Sequence, residues 1–568
     1  MTVRTPRLAA GALALVAAGS LPASAERGAD GDLAILFWQA PSVLNPYVGS
    51  GTKETEVASV VLEPLARYDD AGEMVPWLVD SVPTVENGGV SEDLTSITWV
   101  LSEGLVWSDG TPLTSADVKF TWEYCTDPEG GCARVPKFAN VASMDTPDER
   151  TVVINFDGPK PFPYGPFVGA FAPVLQKAQF EDCTGVRMPT CTEANFAPIG
   201  TGPFVVTDFR PNDVAVFAAN ENYRDAAKPA FSTLTVKGGG DAVSAARAVL
   251  QTGEFDYAWN LQVSPDVLDP MAEGGTGEIV VAFGNSVEQL FVNLTDPSPE
   301  LGEARSTVGT QNPRLSAPQV REALSLAIDR ALLVELGYGD AGRPTCDILQ
   351  EPAIFRSGAN DACLEQDLEA ASALLDAAGW IDADGDGIRD KDGVPLSLDY
   401  ITTMNAVRQD VQALVKQWWS QIGVETTLRS IDGSVFFGEA GGPDSVWRFQ
   451  ADVEMWMNNF DGTDPEAYMA SYACSEIPTP ENQWQGNNMP RFCDDAYDAL
   501  VADLAGTGSL SERADIAKAM NDMLMQSHVI IPLVNRGRVS GKARDLEGVR
   551  INAWDSELWN VADWSRAD

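Results

Sequence analysis

Eight cysteines fall into four sets of close neighbours along the chain: Cys125 with Cys132, Cys183 with Cys191, Cys346 with Cys363, and Cys474 with Cys493, at separations of 7, 8, 17 and 19 residues. Each interval is rich in Gly, Pro, Asp or Asn, so bridges between neighbours would staple local loops. Staples that short cannot hold together a chain of 568 residues. Its fold has to come from hydrophobic cores, in more than one folding unit. Eight cysteines allow on the order of a hundred pairings, so the sequential set is an expectation from proximity. No Cys-x-x-Cys occurs, which removes the spacing of a redox dithiol or a zinc ribbon.

The N-terminus fits an oxidising compartment. Arg4 and Arg7 precede the apolar run 8–21, which ends in Ala23-Ser24-Ala25, the form of a secretory leader with a small-residue cleavage site. No later stretch reaches the roughly 18 uninterrupted apolar residues of a membrane span. Cleavage before Glu26 would leave 36 basic against 83 acidic residues, a formal charge of −47. Such a charge opposes attraction to phosphate backbones and anionic lipid, so nucleic acid is not an expected partner. No cysteine stands near the cleavage site to take a lipid anchor, and an unanchored exported protein is expected in a periplasm. His528 is the single histidine. A His-cluster zinc site is therefore excluded, and any Ser-His-Asp triad would depend on a residue that no nucleophile motif accompanies. Burial or capping is its expected role.

Hydrophobic periodicity reads as mixed α/β. Strands are expected at 33–38, 96–101, 151–156, 204–209, 214–218, 233–236, 396–401 and 424–429. Helices are expected at 54–65, 115–124, 242–252, 318–337, 364–378 and 406–422. The stripe Val320, Ala323, Leu324, Ala327, Ile328 and Leu332 has helical spacing and belongs to a core. Trp418 and Trp419 point about 100° apart on a helix, so one is expected to be buried and its neighbour only partly so. The Gly238-Gly239-Gly240 run lacks the lysine of a phosphate loop and reads as a connection.

Together these segments resemble the extracellular solute-binding proteins of the dipeptide, oligopeptide and nickel class, the capture subunits of ABC importers. The resemblance is carried by Trp107-Ser-Asp-Gly-Thr-Pro-Leu-Thr-Ser-Ala-Asp-Val-Lys-Phe-Thr-Trp122 and by Ile199-Gly-Thr-Gly-Pro-Phe204. Further landmarks are Val320-Arg-Glu-Ala-Leu-Ser-Leu-Ala-Ile-Asp-Arg330, Gly379-Trp380 and Asp461-Gly-Thr-Asp-Pro465. It implies a two-lobe α/β periplasmic-binding-protein fold, type II-like and of the large class, with an extra peripheral α/β domain. Mapped onto this chain, lobe I takes residues 26–70, 197–305 and 530–568, the extra domain 71–196, and lobe II 306–529. Each boundary is placed to about ten residues. A chain that crosses between lobes more than once makes a natural hinge. The resemblance also supports the 474–493 bridge, since dipeptide-binding relatives bracket this loop with a cysteine pair.

The same resemblance supplies a ligand site. In peptide-binding members an aspartate four residues before a proline in lobe II holds the ligand ammonium, and Asp461 stands there. In a cleft that excludes water such a pair gains charge-assisted hydrogen bonding. Trp456 and Asn459 of the same segment join the expected ligand set. Asp464 is expected to cap a helix at 465–472. Arg408, opening the 406–422 helix after Asn405, could take a peptide carboxylate in bidentate fashion. Ser50, Gly51 and Thr52 match a family region lining the cleft from lobe I, where small residues permit close backbone approach.

A separate pattern concerns calcium. Asp382, Asp384, Asp386, a backbone carbonyl at Ile388, and Asp390 match successive ligands of an EF-hand loop, with Gly387 at the position of the sharp turn. Gly393 replaces the final glutamate, and Asp392, one residue earlier, is the candidate substitute. The alternative is a hydrated acidic turn. No cofactor is required, and a structural calcium is the one candidate. The function expected is non-enzymatic capture of a short peptide or peptide-like solute and its delivery, by a monomer, to the transmembrane subunits of an ABC permease. The competing readings are an oligosaccharide or opine-like ligand, and a secreted glycoside-active enzyme built on paired carboxylates.

Overall fold

Two sheets organise the chain in the computed structural model, which describes residues 26–49, 51–437, 442, 444–460, 462–482, 484 and 486–567. The first is seven-stranded, in the order Gly277–Ala282, Arg538–Ala543, Tyr257–Ala258, Asp32–Leu36, Thr233–Lys237, Val214–Ala219, Phe204–Arg210. Alternation along Asp32–Leu36 decides its two faces. Leu33 and Ile35 enter a core with Phe204, Phe217 and Leu234, while Leu36 joins Ala245, Val249 and Leu250 on the other side. Full burial of a side chain such as Leu33 contributes roughly 2 kcal/mol.

The second sheet is six-stranded, in the order Gly342–Pro344, Ile530–Arg536, Val287–Val292, Val453–Asn458, Ser397–Thr403, Glu425–Ile431. Leu290 and Met455 pack under the helix Ala406–Gln421. Phe291 and Trp456 face the opposite way, toward Ala517, Met520 and Leu524 of the helix Leu510–Ser527. These sheets are the two lobes of the expected α/β fold.

The sheets correct the expected lobe boundaries. Val287–Val292, assigned above to lobe I, is an inner strand of the lobe II sheet, and Ile530–Arg536 belongs there too. The chain crosses between sheets at 283–286 and again at Gly537, within one residue of the strands on either side. Val287–Val292 escapes a periodicity reading because all six of its residues are buried, with Glu288 and Gln289 among them. Such a strand shows neither alternation nor an apolar run.

Local chemistry explains the shifted helices. The helix expected at 54–65 spans Thr52–Ala58 and gives way to turns at 59–61, and Pro64 keeps Glu63 from resuming it. The stripe at 318–337 is two helices, Pro318–Leu326 and Arg330–Gly337. Asp329 separates them by capping the second, its side chain accepting from the Leu332 N–H at 2.9 Å. Trp418 and Trp419 are both buried, the latter donating its indole N–H to the Leu324 carbonyl at 2.9 Å. Helix Ala406–Gln421 is sandwiched closely enough for both rings to find cover.

The extra domain carries a three-stranded antiparallel sheet, Ser96–Val100, Thr151–Phe156, Val141–Asp145, under the helix Ser115–Thr126. Its core is continuous with lobe I, since Tyr47, Leu62, Leu65 and Trp554 pack with Trp99, Trp107, Tyr124 and Ile154. A buried polar seam reinforces the join: Asp555 accepts from the Ala170 N–H at 3.0 Å and pairs with Arg67. The four sequential disulfides, Cys125–Cys132, Cys183–Cys191, Cys346–Cys363 and Cys474–Cys493, are all formed.

Candidate functional site

In open parallel sheets, ligands meet the loops beyond the carboxyl ends of the strands. In lobe I, Asp32–Leu36 runs parallel to Thr233–Lys237 and Tyr257–Ala258. Their carboxyl ends lead to Trp38 and Gln39, to the Gly238 run, and to Asn260. In lobe II, Ser397–Thr403 runs parallel to Glu425–Ile431 and Val453–Asn458, leading to Met404, to the short helix Gly433–Phe436, and to Asn459 and Phe460. The two sets of loops approach one another: a Cβ built on Gly433 would lie 3.9 Å from Gln39 Nε2.

The crossings are pinned by buried amides. Asn535 donates to the Gly284 and Ser286 carbonyls at 2.9 and 3.1 Å, and Asn285 donates to the Phe460 carbonyl at 2.6 Å. Gly537 is required at its crossing, because a Cβ there would stand 2.6 Å from Val281 Cγ1. A hinge of so few residues lets the lobes move as bodies.

The structure separates the expected ligand residues. Asp461 and Ser50 lie outside the described residues. Their neighbours are informative for Asp461: the Gly462 N–H donates to the Trp554 carbonyl of lobe I at 3.0 Å. Gly462 has a φ of 74°, and a Cβ on it would come within 2.7 Å of the Tyr68 ring. Gly462 is thus seated on lobe I. Asn459 is half-buried, its N–H donating to Asn458 Oδ1 at 3.1 Å.

Trp456 is not a free stacking surface. It stacks on Phe291 with ring centroids 3.8 Å apart and meets Phe436 and Phe437 edge-on. Residues 454, 456 and 458 share one face of their strand, and at 456 that face is core. Gly51 is the N-cap position of the helix Thr52–Ala58, and a Cβ on it would stand 2.2 Å from Glu54 Oε2. Its smallness serves Glu54, a contact within lobe I. Thr52 is half-buried as the first residue of that helix.

Arg408 is neither solvated nor free to take a ligand carboxylate with its guanidinium fork. Its Nε and Nη2 donate to the two Glu288 oxygens at 2.7 and 3.3 Å, and Nη1 to Thr403 Oγ1 at 2.9 Å. Burial works against its charge, but Glu288 outweighs that and raises its pKa. Arg536 adds a second guanidinium 3.9 Å from Glu288 and reaches Asn260 Oδ1 of lobe I at 2.5 Å. Burial lowers the Arg536 pKa. Glu288 is therefore the shared anion of two buried cations beside the hinge. Sequence reasoning missed it; the signal was a carboxylate inside a six-residue buried strand, which demands a partner.

In the acidic loop, ligand oxygens of Asp382, Asp384 and Asp386 lie within 4.8 Å of one another. Asp390 and Asp392 are not part of that group. Asp390 pairs in a hairpin with Pro395, and Asp392 and Gly393 form its two-residue turn with φ of 53° and 77°. The Ile388 N–H donates to Asp386 at 2.8 Å.

His528 ends the helix Leu510–Ser527 in left-handed geometry, a capping position. Burial, then Arg321 and Arg330, push its imidazole down from 6.5 to about 4. The unfolded chain then binds the extra proton first, so this contribution is complete above pH 6.5 and is lost as pH falls through 4. It amounts to about 3 kcal/mol. His528→Asn tolerates the same backbone and should flatten that part of the stability profile in urea titrations between pH 7.5 and 4.5.

The family model described as bacterial extracellular solute-binding proteins, family 5 Middle, matches residues 73–478. The chain belongs to this family of solute-binding proteins. A Brucella ovis protein named as an ABC transporter peptide-binding protein is 25% identical over 517 residues, covering 89% of each chain. The glutathione-binding protein GsiB of Shigella flexneri is 23% identical over 548 residues, covering 95% of this chain and 96% of its own. Among solved structures, the oligopeptide-binding protein AppA of Bacillus subtilis, in complex with a nonapeptide, matches with a TM-score of 0.78 at 20% identity, covering 96% of this chain and 100% of its own. No described helix is long and apolar enough to cross a membrane.

Proposed function

We propose that the two lobes close on a short peptide or peptide-like solute and deliver it to the transmembrane subunits of an ABC importer. The protein acts as a monomer in a periplasm after loss of its first 25 residues, and it carries out no turnover. The observation that carries this reading is the seating of Gly462 on the Trp554 carbonyl. It supports a place for Asp461 at the meeting of the lobes, where an enclosed carboxylate would suit a ligand ammonium. Relatives named for peptides and for glutathione, itself a modified tripeptide, support the ligand class. Met404, Val435 and Phe437 are exposed at the carboxyl ends of the lobe II strands, and would offer apolar contact to ligand side chains.

Native mass spectrometry of the protein purified without denaturation tests the reading. A released peptide of a few residues is expected. A copurified oligosaccharide, together with no response to a peptide panel, would overturn the ligand class and leave the fold untouched.

We also propose that the acidic loop holds a structural calcium ion through Asp382, Asp384 and Asp386, with Asp390, Asp392 and the Ile388 carbonyl as further candidates. Three converging carboxylates fit a hard cation that takes oxygen ligands. Chelation followed by dialysis should lower the melting temperature, and calcium but not magnesium should restore it, because an ion that binds only the folded state stabilises it by mass action. An unchanged melting temperature would remove the ion.

A further inference from the structure

We propose that the extra domain takes part in solute capture: Lys160 latches onto Glu466 and so holds residues 462–466 against lobe I. This rests on the reading that residues 460–466 border the solute site.

The extra domain shares its core with lobe I, so the two move as one body. Lys160 lies on its edge, with its N–H donating to the Leu94 carbonyl at 2.7 Å. Its ammonium meets Glu466 Oε1 of lobe II at 2.5 Å, and the side chains are only 17% and 15% exposed. At that exposure the pair is partly shielded from the screening that weakens surface ion pairs.

Glu466 is built to receive a charge from outside its lobe. Arg513 of the helix Leu510–Ser527 pairs with Asp464 through two nitrogens at 2.9 and 2.5 Å and with Glu466 at 3.0 Å. Arg513 also donates to the Leu504 and Thr507 carbonyls at 2.7 and 2.8 Å. Within lobe II two carboxylates thus share one guanidinium, leaving one negative charge in excess. Lys160 cancels it when the lobes meet. Phe162, two residues on, lies 5.8 Å from the Arg513 guanidinium and covers the cluster.

The position of this cluster gives the latch its effect. Residues 462–466 are held at both ends by the lobe I body: Gly462 through the Trp554 carbonyl, and Glu466 through Lys160. A Cβ on Gly72 would stand 3.2 Å from Thr463 Cγ2 between them. Opening the lobes must break both holds and return Lys160 and Glu466 to water. The pair therefore acts on opening, and so on solute release, while Lys160 itself lies outside the solute site.

Lys160→Met and Lys160→Arg test this in the full mature chain, with hydrogen exchange measured on protein as purified, carrying whatever solute it holds. Exchange of peptides covering 460–470 should quicken about 5- to 30-fold in K160M, the range for an ion pair of one to two kcal/mol. K160R should restore it, and core peptides of both lobes should be unchanged. Trialanine, where it binds the wild type, should dissociate faster from K160M by a similar factor with little change in association rate. Equal exchange at 460–470 in wild type and K160M, at equal melting temperature, would overturn the latch whatever the solute. Failure of trialanine and other peptides to bind the wild type would instead overturn the ligand class, leaving the exchange result to decide the latch.

Discussion

Asp461→Asn should bind trialanine about 30-fold to several thousand-fold more weakly than the wild type, the range for removing one partner of an enclosed charge pair. Its melting temperature should stay nearly the same. Asparagine keeps the size and one acceptor oxygen of aspartate, so the difference isolates the charge. The loop on either side is anchored by the Gly462 N–H on Trp554 and by Asn285 on the Phe460 carbonyl, neither of which involves the Asp461 side chain. N-acetyl-trialanine should lose a comparable factor with the wild type and little more with the variant, because both changes remove the same interaction. Titration calorimetry of the four combinations completes the cycle. Equal trialanine affinity for the two proteins would return Asp461 to a turn residue.

What could be read from the sequence depended on whether the signal was local. The strand Thr151–Phe156 and the helix Ala406–Gln421, with Asn405 capping it and Gly423 beyond its end at a φ of 79°, carry their instructions within a few residues. So do the cysteine pairs, each of which bridges fewer than 20 residues. Val287–Val292 carries none, because its residues are interior on both faces and Glu288 answers partners far along the chain. The lobe boundary misplaced at 305 follows from that strand. The same limit applied to the site. Arg408 was found as a basic residue after an Asn-containing loop, but its partner is 120 positions away. Lys160 and Glu466 are 306 apart. Trp456 sits beside Asp461 in sequence, yet the period of two along a strand turned its ring into the core.

The cluster around Glu288 makes a prediction that separates structural from ligand roles for Arg408. Two guanidiniums share Glu288, one bonded to both oxygens and one 3.9 Å away. Removing either partner of a buried pair is costly because of the charge left behind, commonly 3–5 kcal/mol. The two removals differ here. Arg408→Gln leaves Glu288 with Arg536 still near, and should cost about 3 kcal/mol. Glu288→Gln strands both Arg408 and Arg536 in an interior that already disfavours the Arg536 charge, and should cost about 5 kcal/mol or more. The double variant should be less damaged than the sum of the two, since each removes the charge that the other leaves unpaired. Urea denaturation of the three proteins checks the ranking. Peptide carboxylates enter as the control: trialanine and its C-terminal amide should bind Arg408→Gln with the same affinity ratio as the wild type, because the fork is occupied by Glu288. If Arg408→Gln instead melts with the wild type and weakens only the free acid, the guanidinium leaves Glu288 for the ligand, and the role expected from the sequence stands.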